Sequence, residues 1–230
     1  MKKILSIIAM ALFALAIYAQ EKEITKFLGI PVDGTKAAMK QELISKGFIP
    51  KTVQGNDYLE GEFNGQDVHV FIATNNNKVW RIMLCDKNTF SETDIKIRYN
   101  NLCRQFKKNE KYVPADFKLD QTIPDDEDIS YEMSVNNKRY QAAFYQVLDK
   151  ATIDAITVPE DRIRALLSEY GYDNPTEEQL ENAKALGRVS IAMDLSSKKS
   201  VWFMISENSG KYYISMYYDN KYNEANGEDL

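Results

Sequence analysis

The chain has 230 residues, with 34 Asp and Glu against 29 Lys and Arg and a single histidine, a net charge of −5. That acidic balance argues against a nucleic-acid binder, which needs a basic surface to displace counterions, and disfavours anionic membrane surfaces. Hydrophobic residues at 44% and aromatic residues at 11% are enough for a sizeable core and exclude a disordered chain.

Residues 1–19 carry Lys2-Lys3, an apolar run from Ile4 to Ile17 and a small residue, Ala19, at a cleavage position, the pattern of a secretory signal peptide. The run is short for a bilayer span and no basic stop-transfer cluster follows it, so a periplasmic or secreted protein with no membrane insertion of its mature chain is expected. Phe27 to Gly34 is a short apolar lead-in closed by a turn. Thr35 then reads as the N-cap of a helix to Lys46 that buries Met39, Leu43 and Ile44 and stops at Gly47. Phe48-Ile49-Pro50 opens an edge strand, since Pro50 has no N–H for a central ladder.

The segment 58–85 combines alternation, turn chemistry and strand propensity. Tyr58–Phe63 and Gln66–Ala73 flank Asn64-Gly65, which accepts the positive φ angles of a two-residue hairpin turn. The implied register sets Phe63 opposite Gln66, Gly61 opposite Val68, Leu59 opposite Val70 and His69 opposite Glu60. A third strand, Lys78–Cys85, follows a three-residue loop, Asn75-Asn76-Asn77. It is expected to align Trp80, Ile82 and Leu84 with the apolar face and to turn Val79, Met83 and Cys85 the other way. Apolar residues on both sides place it centrally in its sheet, covered twice.

A second helix runs from Ser91 to Lys108, opened by Ser91-x-x-Asp94 and striped by Ile95, Tyr99, Leu102 and Phe106. Pro114–Asp128 reads as a connecting segment, and its acidic run 125–128 lacks the alternating ligands and glycine of a calcium loop. Ile129–Val135 and Lys138–Val147 read as a second hairpin around Asn136-Asn137. A helical pair follows, Pro159–Tyr170 and Thr176–Leu186, and then three strands, Val189–Leu195, Val201–Ile205 and Tyr212–Tyr218.

The expected fold class is α+β, with antiparallel meanders packed with helices as two related lobes, 20–112 and 113–230. The second lobe holds the helical pair at about 159–187, and one continuous domain over 20–230 is the alternative. The tandem repeat rests on the helix-then-meander order and on the likeness of Lys78-Val79-Trp80-Arg81-Ile82-Met83 to Ser200-Val201-Trp202-Phe203-Met204-Ile205. The opening Phe27-Leu28-Gly29-Ile30-Pro31-Val32-Asp33-Gly34-Thr35, the Lys78-Val79-Trp80 strand and the ending Tyr217-Tyr218-Asp219-Asn220 to Leu230 resemble exported proteins of gut Bacteroidetes with no assigned activity. That resemblance implies a Gram-negative envelope setting and transfers no catalytic residue. The doubled helix-and-meander arrangement also resembles the β-lactamase inhibitor protein-like architecture, a likeness of fold alone.

One histidine excludes His-rich metal sites and leaves His69 as the only imidazole base, with a surface pair to Glu60 as its simplest role. There is no G-x-S-x-G, P-loop, H-E-x-x-H or C-x-x-C, so no catalytic residue, metal or cofactor is assigned. An oxidising compartment permits a disulfide between Cys85 and Cys103, with two free thiols as the alternative. Of 14 tyrosines, Tyr212, Tyr213, Tyr217 and Tyr218 share one strand. Alternation sends Tyr213 and Tyr217 to the face opposite Tyr212 and Tyr218; one set is core, and Tyr213 and Tyr217 are the candidates for an exposed binding strip, with packing under a helix as the alternative. Three functions follow in order: a non-catalytic module binding a protein of the cell envelope, a binder of envelope glycan or small ligand, and a hydrolase with unassigned carboxylates.

Overall fold

The computed structural model describes residues 22–225 and 227, so the expected leader at 1–19 lies outside the described residues. The chain forms two compact units, one of residues 24–147 with 198 onward and one of residues 22–23 with 148–197.

The first unit opens with a ribbon of β1 (Lys26–Phe27) and β2 (Ile30–Pro31), turned by Leu28 and Gly29 at φ of 51° and 82°. Helix α1 (Lys36–Ser45) follows, with Thr35 Oγ1 accepting from the Ala38 N–H as its cap. Then come β3 (Ile49–Val53), β4 (Asn56–Phe63), β5 (Gln66–Asn75) and β6 (Lys78–Asp86), helix α2 (Glu92–Lys108), β7 (Tyr112–Pro114) and helix α3 (Ile129–Val135). Strands β8 (Gln141–Gln146), β9 (Lys199–Asn208) and β10 (Lys211–Asn220) complete the unit. The last eight strands make one antiparallel sheet in the order β3-β4-β5-β6-β10-β9-β8-β7. The fold is α+β.

One face of the sheet carries the core. Leu59, Val70, Ile82, Leu84, Ile214 and Phe203 are each at most 2% exposed, and Met39 and Leu43 of α1 with Ile95, Tyr99 and Leu102 of α2 complete the same cluster. Each such side chain contributes about 1.5–3 kcal/mol of burial. Ring contacts tie α2 to the sheet, with Tyr99 set edge-on to Phe203 at 5.3 Å and Phe106 stacked on Phe144 at 4.8 Å. Arg98 of α2 forks onto the buried Asp86 at the end of β6, and Asp86 also accepts from the Ile214 N–H at 2.9 Å.

The β4–β5 register is the expected one, from Leu59 opposite Val70 to Phe63 opposite Gln66. The next turn differs from expectation. Asn76 and Asn77 both take positive φ, 47° and 61°, and close a two-residue turn between the paired Asn75 and Lys78. A register shift between Ala73 and Thr74 then leaves Trp80 as the extra residue on β6. Val79 therefore joins the buried side at 0% exposure while Trp80 is half-exposed. Strand β6 is central as expected, but Arg81, Met83 and Cys85 on its other side are only partly buried.

Two expected strands are helical. Residues 129–135 form α3, because Asp128 accepts from the Tyr131 N–H as a cap and only Ile129 needs full burial. Alternation of Ile129, Tyr131 and Met133 imitates a strand, yet Tyr131 and Val135 are more than half exposed. Residues 189–195 continue a long helix, described next, whose buried positions Ala183, Gly187, Ile191 and Leu195 recur every fourth residue while Val189 and Met193 face solvent.

The second unit is helical, with α4 (Lys150–Ala155), α5 (Glu160–Glu169) and α6 (Glu177–Ser197). Ile163, Leu166 and Leu167 of α5 pack on Leu180 and Ala183 of α6, and Leu148 and Ile156 pack on Ile191 and Leu195. A reciprocal pair caps α6: the Thr176 N–H donates to Gln179 Oε1 at 2.8 Å and the Gln179 N–H to Thr176 Oγ1 at 3.3 Å. The sheet runs through the expected boundary at 112 and 113, since strands from both sides pair at β6–β10, and the separate unit is 148–197. Among the described residues no helix is long and apolar enough to cross a membrane.

Candidate functional site

The face of the sheet opposite α1 and α2 is organised by strand register into rows that cross the strands. One row aligns Phe71, Met83, Tyr217 and Trp202 on β5, β6, β10 and β9, all of them half-exposed. The next aligns Glu60, His69, Cys85, Ser215 and Met204. A third aligns Ala73, Arg81, Asp219 and Ser200. Successive rows share a face because residues two apart on a strand point the same way.

Arg81 and Asp219 are the anchor of this face. Arg81 donates from Nε to Asp219 Oδ1 at 2.6 Å and from a terminal nitrogen to Oδ2 at 2.8 Å, a two-pronged pair with the carboxylate only 1% exposed. Trp202 Nε1 donates to the same Oδ2 at 2.9 Å. The guanidinium lies 4.2 Å from the Trp80 ring centre, 5.0 Å from Tyr217 and 5.5 Å from Trp202, close enough for cation–π attraction to each. Trp202 and Tyr217 stack at 3.9 Å with ring planes 14° apart. One buried carboxylate thus orients an arginine and a tryptophan, and those two hold the neighbouring rings. The two tryptophan segments that resemble each other in sequence converge on this one arginine.

The polar row is a chain of modest contacts. His69 Nε2 lies 3.4 Å from Glu60 Oε1, as the register implied, and Lys87 Nζ lies 3.3 Å from Glu60 Oε2. Burial pushes the Glu60 carboxyl up, but the Lys87 hydrogen bond and nearby positive charge outweigh it and hold the group below the usual carboxylate range. The Tyr58 ring meets His69 edge-on at 4.9 Å. Cys85 is the cross-strand neighbour of His69, a juxtaposition not read from the sequence. Its thiol is not activated: burial pushes it up and outweighs the pull of the Ser215 hydroxyl 3.8 Å away, and the adjacent Asp86 adds to the rise. A protonated thiol is a poor nucleophile, so the pair lacks the electrostatics of a Cys-His catalyst.

Tyr213 and Tyr217 both lie on this face, half-buried, while Tyr212 and Tyr218 are core. Burial raises the Tyr217 phenol above its ordinary value. Cys85 and Cys103 are both free. The expected bond fails on parity: Cys85 follows Leu84, which faces the helices, and so points away from them, whereas Cys103 is fully buried on α2 with its Sγ toward Gln121 O at 3.7 Å. Among the described residues no group of three or more His, Cys, Asp or Glu is placed to hold a metal ion. Arg81, Trp202 and Asp219 were not singled out from sequence; the signal available was an arginine inside an apolar strand beside a tryptophan. No family model matches the chain, and neither the curated proteins nor the solved structures searched give a match.

Proposed function

We propose that the chain is an exported, non-catalytic binding protein that engages a protein partner of the cell envelope through the sheet face bearing Tyr213 and Tyr217. The observation that carries this reading is the row Phe71, Met83, Tyr217 and Trp202, an apolar stripe across four strands whose Tyr217 and Trp202 are held by the Arg81–Asp219 pair. Aromatic residues and arginine that are already oriented suit protein recognition, because little side-chain entropy remains to be lost on binding. The raised Cys85 thiol supports a non-catalytic role. The resemblance to exported Bacteroidetes proteins supports the envelope setting.

An envelope glycan is the second reading, favoured by the half-exposed Trp80 and Trp202. The stacking of Trp202 on Tyr217 counts against it, since each ring spends one face on the other rather than on a sugar. The test is a pull-down from envelope extract with the mature chain and with Tyr213→Ala and Trp202→Ala variants, beside a glycan array. A protein recovered by the parent and lost with folded variants supports the proposal. Glycan binding lost with the same variants replaces it by the second reading, and substrate turnover abolished by changing one carboxylate overturns both.

A further inference from the structure

On the helix side of the sheet a cavity of about 480 Å³ opens between the β1–β2 and β4–β5 turns, the last turns of α2 and strand β10. Its size falls in the range of small-molecule sites. Its floor is apolar and aromatic: Leu102, Phe106 and Tyr218 are buried and Phe63 and Tyr112 half-buried. Ring contacts fix these side chains, with Phe106 against Tyr112 at 4.7 Å and the buried Phe27 against Phe63 at 5.4 Å and Tyr218 at 5.0 Å.

One wall of the cavity departs from the turn chemistry of its own backbone. Leu28 and Gly29 close a two-residue turn between the paired Phe27 and Ile30, both with positive φ, 51° and 82°. A turn of that kind favours Asn or Asp at its first position, because a bulky apolar side chain is crowded there. Leu28 is also 40% exposed, so burial in the core does not account for it either. An apolar side chain held under strain at the rim of a cavity has the mark of a functional position.

The lip is polar and uncharged. Asn64 Nδ2 donates to Gln105 Oε1 at 2.8 Å, so the pair still offers an acceptor in Asn64 Oδ1 and a donor in Gln105 Nε2. Among the described residues no Asp, Lys, Arg or His lines the cavity. Glu62 borders it but stands two residues from Glu60 on β4, so its carboxylate belongs to the opposite face of the sheet, where Glu60 meets His69. Burial pushes the Tyr218 phenol well above its ordinary value and keeps it neutral. A charged ligand would lose hydration here and find no counter-charge, whereas a flat ring meets aromatic walls and a neutral polar head meets amides.

We infer that this cavity binds a small uncharged aromatic molecule whose polar head both donates and accepts hydrogen bonds, with the ring among Leu28, Phe63, Phe106 and Tyr112 and the head at Asn64 and Gln105. The site is separate from the sheet face and does not depend on it. The test is an NMR titration of the mature chain with benzamide and with two charged molecules of similar size, benzylammonium and benzoate. Benzamide should bind and shift the side-chain amide signals of Asn64 and Gln105, and each charged probe should bind at least roughly tenfold more weakly. Leu28→Asn installs a residue that accepts the positive φ, so it should leave the urea midpoint unchanged or raised while weakening benzamide by roughly fivefold to tenfold. A leucine serving the fold alone would show the reverse, lost stability with unchanged affinity. Asn64→Asp, at a φ of 52° that aspartate also accepts, places a carboxylate at the lip and should strengthen benzylammonium by at least roughly fivefold. No binding of benzamide by the parent chain, a charged probe bound as tightly as benzamide, undiminished benzamide binding by folded Leu28→Asn, or no gain for benzylammonium in Asn64→Asp overturns the inference.

Discussion

Asp219, like Asp86 on the helix side, is a buried carboxylate that accepts three hydrogen bonds. It accepts two bonds from Arg81 and one from Trp202 Nε1 while nearly buried, and its backbone carbonyl accepts from Thr25 Oγ1. Arg81→Met strands that carboxylate with one of its three side-chain donors, and should cost about 2–3 kcal/mol, below a fully buried pair because Arg81 is 23% exposed. Adding Asp219→Asn removes the stranded charge, so the double variant should be more stable than Arg81→Met alone in urea unfolding. A double variant less stable than the single would show that the carboxylate is held by something other than Arg81. At Cys103, burial pushes the thiol up to about 11 from its ordinary value of 9.0. The folded state therefore holds a proton that the unfolded chain releases above pH 9, so stability is intact below that pH and declines as pH rises toward 11. The loss should reach on the order of 2 kcal/mol and should be smaller in Cys103→Ala, read from urea midpoints at pH 8 to 11.

At the scale of elements, the hairpin β4–β5 depends on a residue with no side chain. A Cβ at Gly61 would stand 2.4 Å from Phe48 Cδ1, so the ring lies directly over the strand backbone. Gly61→Ala should destabilise by about 1–3 kcal/mol, and by clearly less in a Phe48→Leu background, where the edge of the ring is gone. Additive losses in that cycle would mean the ring has room to move. This hairpin was legible in sequence because its turn, alternation and strand propensity agree, and α1 and α2 were legible because cap and apolar stripe agree. Residues 129–135 and 189–195 were not, since Ile129, Tyr131 and Met133 alternate like a strand while the Asp128 cap and the recurrence from Ala183 to Leu195 are signals of a different period. The site was half legible. Alternation placed Tyr213 and Tyr217 on their face, but Arg81 reaches Asp219 across 138 positions of sequence and only through a β6–β10 pairing that local pattern does not specify.

For the whole molecule, the join between β8 and β9 carries a testable consequence. These strands are antiparallel neighbours, with Tyr145 opposite Ser200, so residues 147 and 198 lie side by side at the same end of the pair. Everything between them is the helical unit, which is therefore an insertion in a hairpin. Replacing 148–197 by Asn-Gly should leave a sheet unit that unfolds cooperatively and keeps the Trp202 environment, checked by near-ultraviolet circular dichroism and a urea titration. Loss of cooperative unfolding would show that the sheet needs the inserted helices. The strand order has a different implication, for the sequence of events in which the protein comes into being. The strand made last among the described residues, β10, is an interior strand, seated between β6 and β9. Until residues 211–220 arrive, the chain can at most be two half-sheets, each ending in an unpaired hydrophobic edge that invites aggregation. A nascent chain paused or cut short before Lys211 has no completed core to fall into, so folding of the sheet unit waits until residues 211–220 have been made.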